Sequence, residues 1–431
     1  MPLGIGDLKG LQTLSKIIIG GENSFAITEL KNLQNLHGKV SIWGLGNVQN
    51  EMEACGAHLS PKRLSGLELN WGYGSLQKRF DFPDWVGDPS FLGLTHVSIY
   101  GCDESMSLPR LGQRPSLKEL YIGKMSKVKV VGAAVFPCLQ ELRIYFCPNL
   151  VEVSLATLPL LRVLTVKGCG HGVLTSLVHV ASSVTKLNIH GILGLTNMLW
   201  VGVIKYLGKV EEVTTERCNE IRYLWESEAE ASKVLANLRT LIVYECSNLA
   251  SLGEKEEDNC GSNLTSLRFL SVYGCASLQH CSCLESLELL SIDSCDSITS
   301  VSFPTGRWQN LKSLSIYDCK KLKSMNELKY FIHLTSFRID ECPSLESFPD
   351  HELSNLASLI YLEIKKCKSM DASFHGGLWP PKLCSLTIGG LKKPMSERGP
   401  QSFPTSLFDL HLYGGPYEDV TDLSRLSGLF P

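Results

Sequence analysis

Leu267-Arg-Phe-Leu270-Ser-Val272-Tyr-Gly-Cys275 is followed by Leu287-Glu-Leu-Leu290-Ser-Ile292-Asp-Ser-Cys295 and then by Leu311-Lys-Ser-Leu314-Ser-Ile316-Tyr-Asp-Cys319. Three copies of Leu-x-x-Leu-x-Ile/Val-x-x-Cys in one register decide how the chain is read. Leu270 and Val272 are two apart, so in an extended segment both point to one face, while Phe269, Ser271 and Tyr273 point to the other. The same pattern starts at Leu238, Leu334 and Leu359, and earlier at Leu94, Leu139, Leu161 and Val210. Copies without the cysteine start at Leu64, Leu117, Val184, Leu383 and Leu407, which makes fifteen. Two weaker copies precede them, near Leu11 to Leu14 and near Leu36 to Ile42.

From Leu64 onward the starts are 20 to 30 residues apart, and the motif is the core of a leucine-rich repeat. Each repeat supplies one short parallel strand whose inward residues stack on those of the next layer, and only the stack buries enough apolar surface to be stable. The expected fold is therefore an α/β solenoid, a leucine-rich-repeat horseshoe with a parallel concave sheet and an irregular, mostly non-helical convex side. Residues 1–60 read as divergent N-terminal repeats, and residues 61–431 as the array that continues the same solenoid. After the cysteine an apolar residue recurs three positions on, at Leu150, Leu249, Leu278, Ile298, Leu322, Leu345 and Met370. Phe-Pro or Leu-Pro steps follow at Phe136, Leu158, Phe303, Phe348 and Phe403. Proline removes an amide donor and biases its neighbour away from the helix, so these segments are expected to be extended or short 3₁₀ turns.

The 431 residues are 44% hydrophobic and 20% charged with a net charge of −3, which excludes a disordered chain and disfavours a generally basic nucleic-acid binder. Gly191 to Gly208, the nearest approach to a long apolar run, contains Lys205 and four glycines and reads as a loop-rich repeat body, not a membrane span. Met1 to Lys16 has no basic head followed by an apolar stretch, so no signal peptide is expected and the chain reads as soluble and intracellular. Two acidic runs, Glu226 to Glu230 and Glu254 to Asp258, read as solvated convex loops, with docking of a basic partner the minor alternative.

Ten of the sixteen cysteines occupy the ninth motif position: Cys102, Cys147, Cys169, Cys218, Cys246, Cys275, Cys295, Cys319, Cys342 and Cys367. A position filled by register, not by pairing, points to a small buried side chain at the turn after the strand. Cys281-x-Cys283 has no matching second pair and cannot complete a tetrahedral zinc site. His351-Glu352 begins like a zinc-protease helix, but Asn355 stands where the second histidine would be. Neither Gly-x-x-x-x-Gly-Lys-Ser/Thr nor Gly-x-Ser-x-Gly occurs. No catalytic, cofactor-binding or metal-ligating residue is therefore assigned, no cofactor is implied, and the chain reads as non-enzymatic.

Non-catalytic solenoids act through the strand face. The residue just after the second inward position reads Asn70, Tyr100, Gly123, Tyr145, Lys167, His190, Glu216, Tyr244, Tyr273, Asp293, Tyr317, Asp340, Lys365, Gly389 and Tyr413, so nearly half of the 13 tyrosines fall in one column. The column between the inward residues adds Arg143, Arg338, Glu363 and His411. Tyrosine and arginine are enriched at protein-interface hot spots, but tyrosine also fits a β-surface and packs on its neighbours, and one column does not separate the two readings. The candidate partner-binding residues are Tyr100, Tyr145, Tyr244, Tyr273, Tyr317, Arg338, Asp340 and Tyr413.

Leu334-Thr-Ser-Phe-Arg-Ile-Asp-Glu-Cys-Pro-Ser-Leu-Glu-Ser-Phe-Pro349 and Leu139-Gln-Glu-Leu-Arg-Ile-Tyr-Phe-Cys-Pro-Asn-Leu150 resemble the C-terminal repeats of plant intracellular nucleotide-binding leucine-rich-repeat disease resistance proteins of the coiled-coil class. The opening, Pro2 to Leu14, and the segment Asn32 to Val48 are similar to the stretches with which such proteins enter their repeats. The resemblance implies a cytoplasmic recognition module of plant immunity. Its partner would be a pathogen effector or a guarded host protein, with no role for nucleic acid or membrane. Restraint of a nucleotide-binding switch is also implied, but this sequence carries no such switch, so only the recognition half carries over. The alternative is the substrate-receptor repeat domain of a ubiquitin ligase, which would bring an F-box and more uniform helical repeats; neither is seen here. A reducing compartment goes with reduced thiols, so thiol counting on denatured protein prepared anaerobically without reductant is expected to find close to sixteen free thiols; several stable disulfides would contradict it.

Overall fold

The computed structural model describes residues 4–20, 25–59, 62–72, 82–88, 90–112, 114–132, 135–226, 228–253, 264–282, 284–303, 310–325, 328, 330–372, 374, 379–393 and 403–413. The chain forms two compact units, Met1–Leu195 with Lys205–Val210, and Thr196–Ile204 with Glu211–Pro431. In the first, each strand pairs in parallel with the next: β1 (Lys16–Ile18), β2 (His37–Trp43), β3 (Arg63–Asn70), β4 (His96–Tyr100), β5 (Glu119–Gly123), β6 (Glu141–Tyr145), β7 (Val163–Lys167) and β8 (Lys186–His190). The second unit does the same with β9 (Glu212–Glu216), β10 (Thr240–Tyr244), β11 (Phe269–Tyr273), β12 (Leu289–Asp293), β13 (Ser313–Tyr317), β14 (Ser336–Asp340), β15 (Tyr361–Lys365), β16 (Ser385–Gly389) and β17 (Asp409–Tyr413). This is a leucine-rich-repeat solenoid.

The register follows the apolar pattern. Leu270 and Val272 lie between Leu241 and Val243 on one side and Leu290 and Ile292 on the other, all buried. Shifting any strand by one residue would put this set into solvent, so the inward ladder fixes the pairing. The divergent first strand departs from the motif: it lies at Lys16–Ile18 with Ile17 inward, beyond Leu11 and Leu14. Leu11 is instead held in a turn by its amide, which donates to the Leu8 carbonyl.

Most layers close by one device. The residue after the strand is left-handed at Gly101, Lys124, Phe146, Gly168 and Gly191 in the first unit, and at Arg217, Glu245, Gly274, Ser294, Asp318, Glu341, Lys366 and Gly390 in the second. At all of these but Gly191 the amide still belongs to the ladder. Glu245 N–H donates to the Tyr273 carbonyl (2.7 Å), and Asp318 N–H to the Asp340 carbonyl (3.0 Å). The backbone then reverses and drives the cysteine inward. All ten motif cysteines are buried, and the thiol donates weakly to the carbonyl two residues back, as from Cys319 to Tyr317 (3.4 Å) and from Cys367 to Lys365 (3.3 Å). Burial pushes the Cys246 thiol above its ordinary range, which keeps it an inert packing group. The cysteine carbonyl accepts from the amide three residues on, for example Leu249 (3.1 Å) and Leu345 (3.2 Å). That turn explains the recurring Cys-x-x-Leu spacing, because both of its ends face the core.

On the return side, Phe136 and Phe348 of the Phe-Pro steps insert into the core. In the second unit they join an aromatic run, Phe337–Phe348–Phe374–Trp379–Phe403, with neighbouring centroids 5.5 to 6.1 Å apart. Five short 3₁₀ helices accompany them among the described residues. The return side is mostly non-helical, as expected, and among the described residues three of the four short α-helices fall in one stretch. Apart from the five-residue Glu51–Cys55, helices occupy His171–Val180, Asn197–Ile204 and Glu228–Val234. The second of these lies inside the segment expected to be loop-rich. No proline occurs between Pro159 and Pro304, so nothing there breaks a helix. Val173, Leu174, Leu177 and Val178 supply a buried face at helical spacing, and Trp200 is fixed by its indole N–H donating to the Leu224 carbonyl (2.9 Å). Among the described residues no helix is long and apolar enough to cross a membrane.

Leu314 is fully buried and its neighbour Ser315 faces outward beside Arg338. Leu314→Asp is expected to lose about 4 kcal/mol or more through cavity formation and an unpaired buried carboxylate, and Ser315→Asp less than about 1 kcal/mol. Equal losses in thermal melts would place the register one residue off.

Candidate recognition surface

The strand register builds the predicted column side by side. Tyr100 neighbours Gly123, which neighbours Tyr145, then Lys167 and His190. In the second unit the order is Glu216, Tyr244, Tyr273, Asp293, Tyr317, Asp340, Lys365, Gly389 and Tyr413.

In the first unit, the Tyr100 ring lies across Gly123, where a Cβ would come within 2.7 Å of it. The absent side chain makes room for the ring, and Lys124 Nζ sits 5.6 Å from its centroid. Tyr145 is tied to Arg143, whose guanidinium donates to the phenolic oxygen (3.5 Å), lies 4.8 Å from the Tyr121 ring and pairs with Glu141. Tyr121 donates in turn to Glu119 (2.7 Å). Burial, together with that carboxylate, pushes the Tyr121 phenol up, so it stays a neutral donor.

In the second unit Tyr244 and Tyr273 stack with centroids 4.5 Å apart and planes 8° from parallel. In the middle column Ser271, Ser291 and Ser315 lie in successive layers beside Tyr273, whereas Ile242 stands in the layer of Tyr244, and both stacked rings are half-buried. Tyr317 is among the exposed large side chains, and its hydroxyl donates to Glu341 (3.1 Å), which also pairs with Lys366. Those two bonds hold the Glu341 carboxyl below its ordinary range. Tyr413 is exposed beside the same lysine, whose Nζ is 5.6 Å from its ring.

Arg338 and Asp340 are placed one layer beyond Tyr317, as the repeat spacing requires, but both are already engaged. The Arg338 guanidinium lies 4.4 Å from the Tyr361 ring and 3.9 Å from Glu363. Asp340 is 3.3 Å from Lys365, which also pairs with Glu363. Burial nevertheless raises the Asp340 carboxyl. Several charges of this face are thus paired within it, while among the described residues Asp293 has no ion pair and Asp340 Oδ1 no hydrogen-bond partner.

Sequence reasoning missed the left-handed column beside the tyrosines. It carries Phe146, exposed, and the Arg217–Glu245 ion pair (2.5 Å). The signal was present in the Tyr-Gly-Cys and Lys-Gly-Cys copies, whose glycine marks the positive-φ site. It also missed Ile18 and Trp43, which extend the first unit's column toward the N-terminus and are exposed, with Lys16 Nζ 4.0 Å from the Trp43 ring. His351 and Glu352 lie in the 3₁₀ helix Asp350–Asn355, and no cluster of potential metal ligands occurs among the described residues. Cys283, the Glu254–Asp258 run and the side chains of 227–230 lie outside the described residues.

A family model described as R13L1/DRL21 leucine-rich repeats matches residues 27–81 and 77–125. The chain is 29% identical to the Arabidopsis thaliana disease resistance protein At3g14460 over 37% of its own length and 16% of that protein's. It is 30% identical to disease resistance protein RGA4 of Solanum bulbocastanum, over 44% of this chain and 23% of the relative, and 27% identical to RGA1 of the same species, over 38% and 22%. The chain therefore spans less than a quarter of the length of these relatives. Among solved structures, an internalin from Listeria monocytogenes is 13% identical with TM-score 0.31, covering 94% of this chain and 86% of that one. A circular leucine-rich-repeat protein is 14% identical with TM-score 0.32, covering 97% and 71%.

Proposed function

Since the chain is a leucine-rich-repeat region similar to those of plant disease resistance proteins, we propose that it is a non-catalytic, cytoplasmic recognition surface for a protein partner, centred on Tyr244, Tyr273 and Tyr317. The stacked Tyr244–Tyr273 pair is the observation that carries this reading. Two rings held flat against one another lose little conformational freedom on binding, and they offer apolar faces with polar tips. Glu341 and Lys366 beside Tyr317 are already paired with one another, so a partner covering them meets few isolated charges other than Asp293. In the same unit Tyr413 supplies further contact area and Arg338 and Asp340 the charged rim, and Tyr100 and Tyr145 are contact residues on the first unit's own face. The partner class that fits the relatives is a pathogen effector or a guarded host protein. In a longer chain, or in trans, the repeats would also restrain a nucleotide-binding switch domain.

The test is the triple variant Tyr244→Ala, Tyr273→Ala, Tyr317→Ala, checked for folding by circular dichroism and for partner capture from plant extract. Hot-spot truncations cost about 2 kcal/mol or more each, so the folded variant is expected to lose the captured partner. Unchanged capture and affinity would reduce the column to sheet packing.

A further inference from the structure

Twice on its outward face the protein assembles a tyrosine ring, a carboxylate and an arginine. In the first unit the Arg143 guanidinium lies 4.8 Å from the Tyr121 ring and pairs with Glu141. In the second, the Arg338 guanidinium lies 4.4 Å from the Tyr361 ring and 3.9 Å from Glu363. Both arginines stand in the middle column, between the two inward residues of their strands. A guanidinium suits this company, because it stacks flat on an aromatic ring while its edge donates to a carboxylate.

Tyr273 and Asp293 supply a ring and a carboxylate in adjoining layers of the second unit. Here Ser271, Ser291 and Ser315 stand in the middle column, where the other two sites have their arginine. Tyr244 stacks on Tyr273 at 4.5 Å, close to one strand spacing of about 4.8 Å. The rings therefore stand across the direction in which the layers stack, and the other face of Tyr273 turns toward Asp293. The Asp293 carboxylate accepts from the Ser294 hydroxyl (2.7 Å) and has no ion pair among the described residues. Burial pushes its carboxyl up, and so does the like charge of Asp318. On the far side, Tyr317 is exposed and its hydroxyl donates to Glu341 of the following layer (3.1 Å), which anchors it away from Asp293.

We propose that Tyr273 and Asp293 receive one arginine side chain of the protein partner, its guanidinium stacked on the open face of Tyr273 and donating to the Asp293 carboxylate, with Tyr317 bounding the far side. This names the chemistry of the partner at the surface proposed above and rests on that reading. Charge complementarity selects a basic group, since a neutral partner would strip water from an unpaired carboxylate and return nothing. Arginine fits better than lysine, because its planar fork meets ring and carboxylate together. Tyr273 and Tyr317 are two strand spacings apart, about 10 Å, and the serines beside them leave room for the aliphatic stem.

The probe is N-acetyl-arginine amide, titrated into the full chain labelled with fluorotyrosine and followed by fluorine NMR. Tyr273→Phe and Tyr317→Phe assign the two signals. A saturable shift of the Tyr273 signal at millimolar probe is expected. N-acetyl-lysine amide should bind more weakly, and the neutral isostere N-acetyl-citrulline amide at least about tenfold more weakly, the worth of one charge-assisted hydrogen bond. Asp293→Asn keeps the side-chain shape and should weaken arginine about tenfold while leaving citrulline unchanged. The same variant should capture less partner from plant extract. If Asp293→Asn does not fold, the arginine-to-citrulline ratio on the parent chain decides. No saturable shift at Tyr273, equal affinity for arginine and either analogue, or arginine binding indifferent to Asp293→Asn would overturn the proposal. So would an Asp293→Asn chain that loses the probe yet captures the partner at unchanged affinity. Loss of capture in the triple tyrosine variant without arginine binding overturns the arginine site alone, whereas unchanged capture in that variant overturns the recognition surface and the arginine site with it.

Discussion

In most layers the amide of a left-handed residue just after the strand donates to the carbonyl one layer further on, and the closure of those layers depends on that bond. At Glu245, Asp318, Glu341 and Lys366 the chain has already left its strand, yet its N–H remains in the ladder. A non-glycine residue in this conformation costs about 1–2 kcal/mol. The layer recovers that cost because the reversal buries the cysteine and the apolar residue three positions beyond it. It also keeps the final strand residue of every layer in one outward column. Core and surface are thus set by the same turn.

The consequences for the face follow from repetition. Identical geometry in each layer brings equivalent positions beside one another, so a tyrosine repeated in adjacent layers must stack or lean, as Tyr244 and Tyr273 stack. Charged residues repeated with alternating sign must pair, as Arg217 with Glu245 and Glu341 with Lys366 do. A glycine in the column creates a space that a neighbouring ring takes up, as Tyr100 does over Gly123. The surface is a lattice whose contents are set layer by layer.

The inward register was legible because it needs only a period of two and a buried face; Leu270, Val272, Leu290 and Ile292 lie where that reading puts them. The tyrosine column was legible for the same reason. The left-handed conformation of Lys124, Phe146 and Asp318 was not, since nothing in those side chains calls for positive φ; it is imposed by the ladder and the buried cysteine. The helices between Pro159 and Pro304 were obscured because the repeat motif says nothing of the return segment, and absence of proline is a weak signal. The commitment of Arg338 and Asp340 to neighbours was hidden too, because it depends on which layers adjoin.

The central claim, that most layers close through a left-handed residue held by the ladder and the core and strained wherever it is not glycine, is tested most directly at Asp318, whose φ is 45°. Glycine keeps the amide that bonds to Asp340 and removes the strain, whereas valine keeps the amide and increases it. The stabilities of Asp318→Gly and Asp318→Val can be compared with the parent by denaturant melts. The account predicts that glycine is neutral or stabilises by up to about 1 kcal/mol, and that valine destabilises by about 1–2 kcal/mol. Equal losses in the two variants would contradict it, since stability at this position would then come from the aspartate side chain and not from the turn.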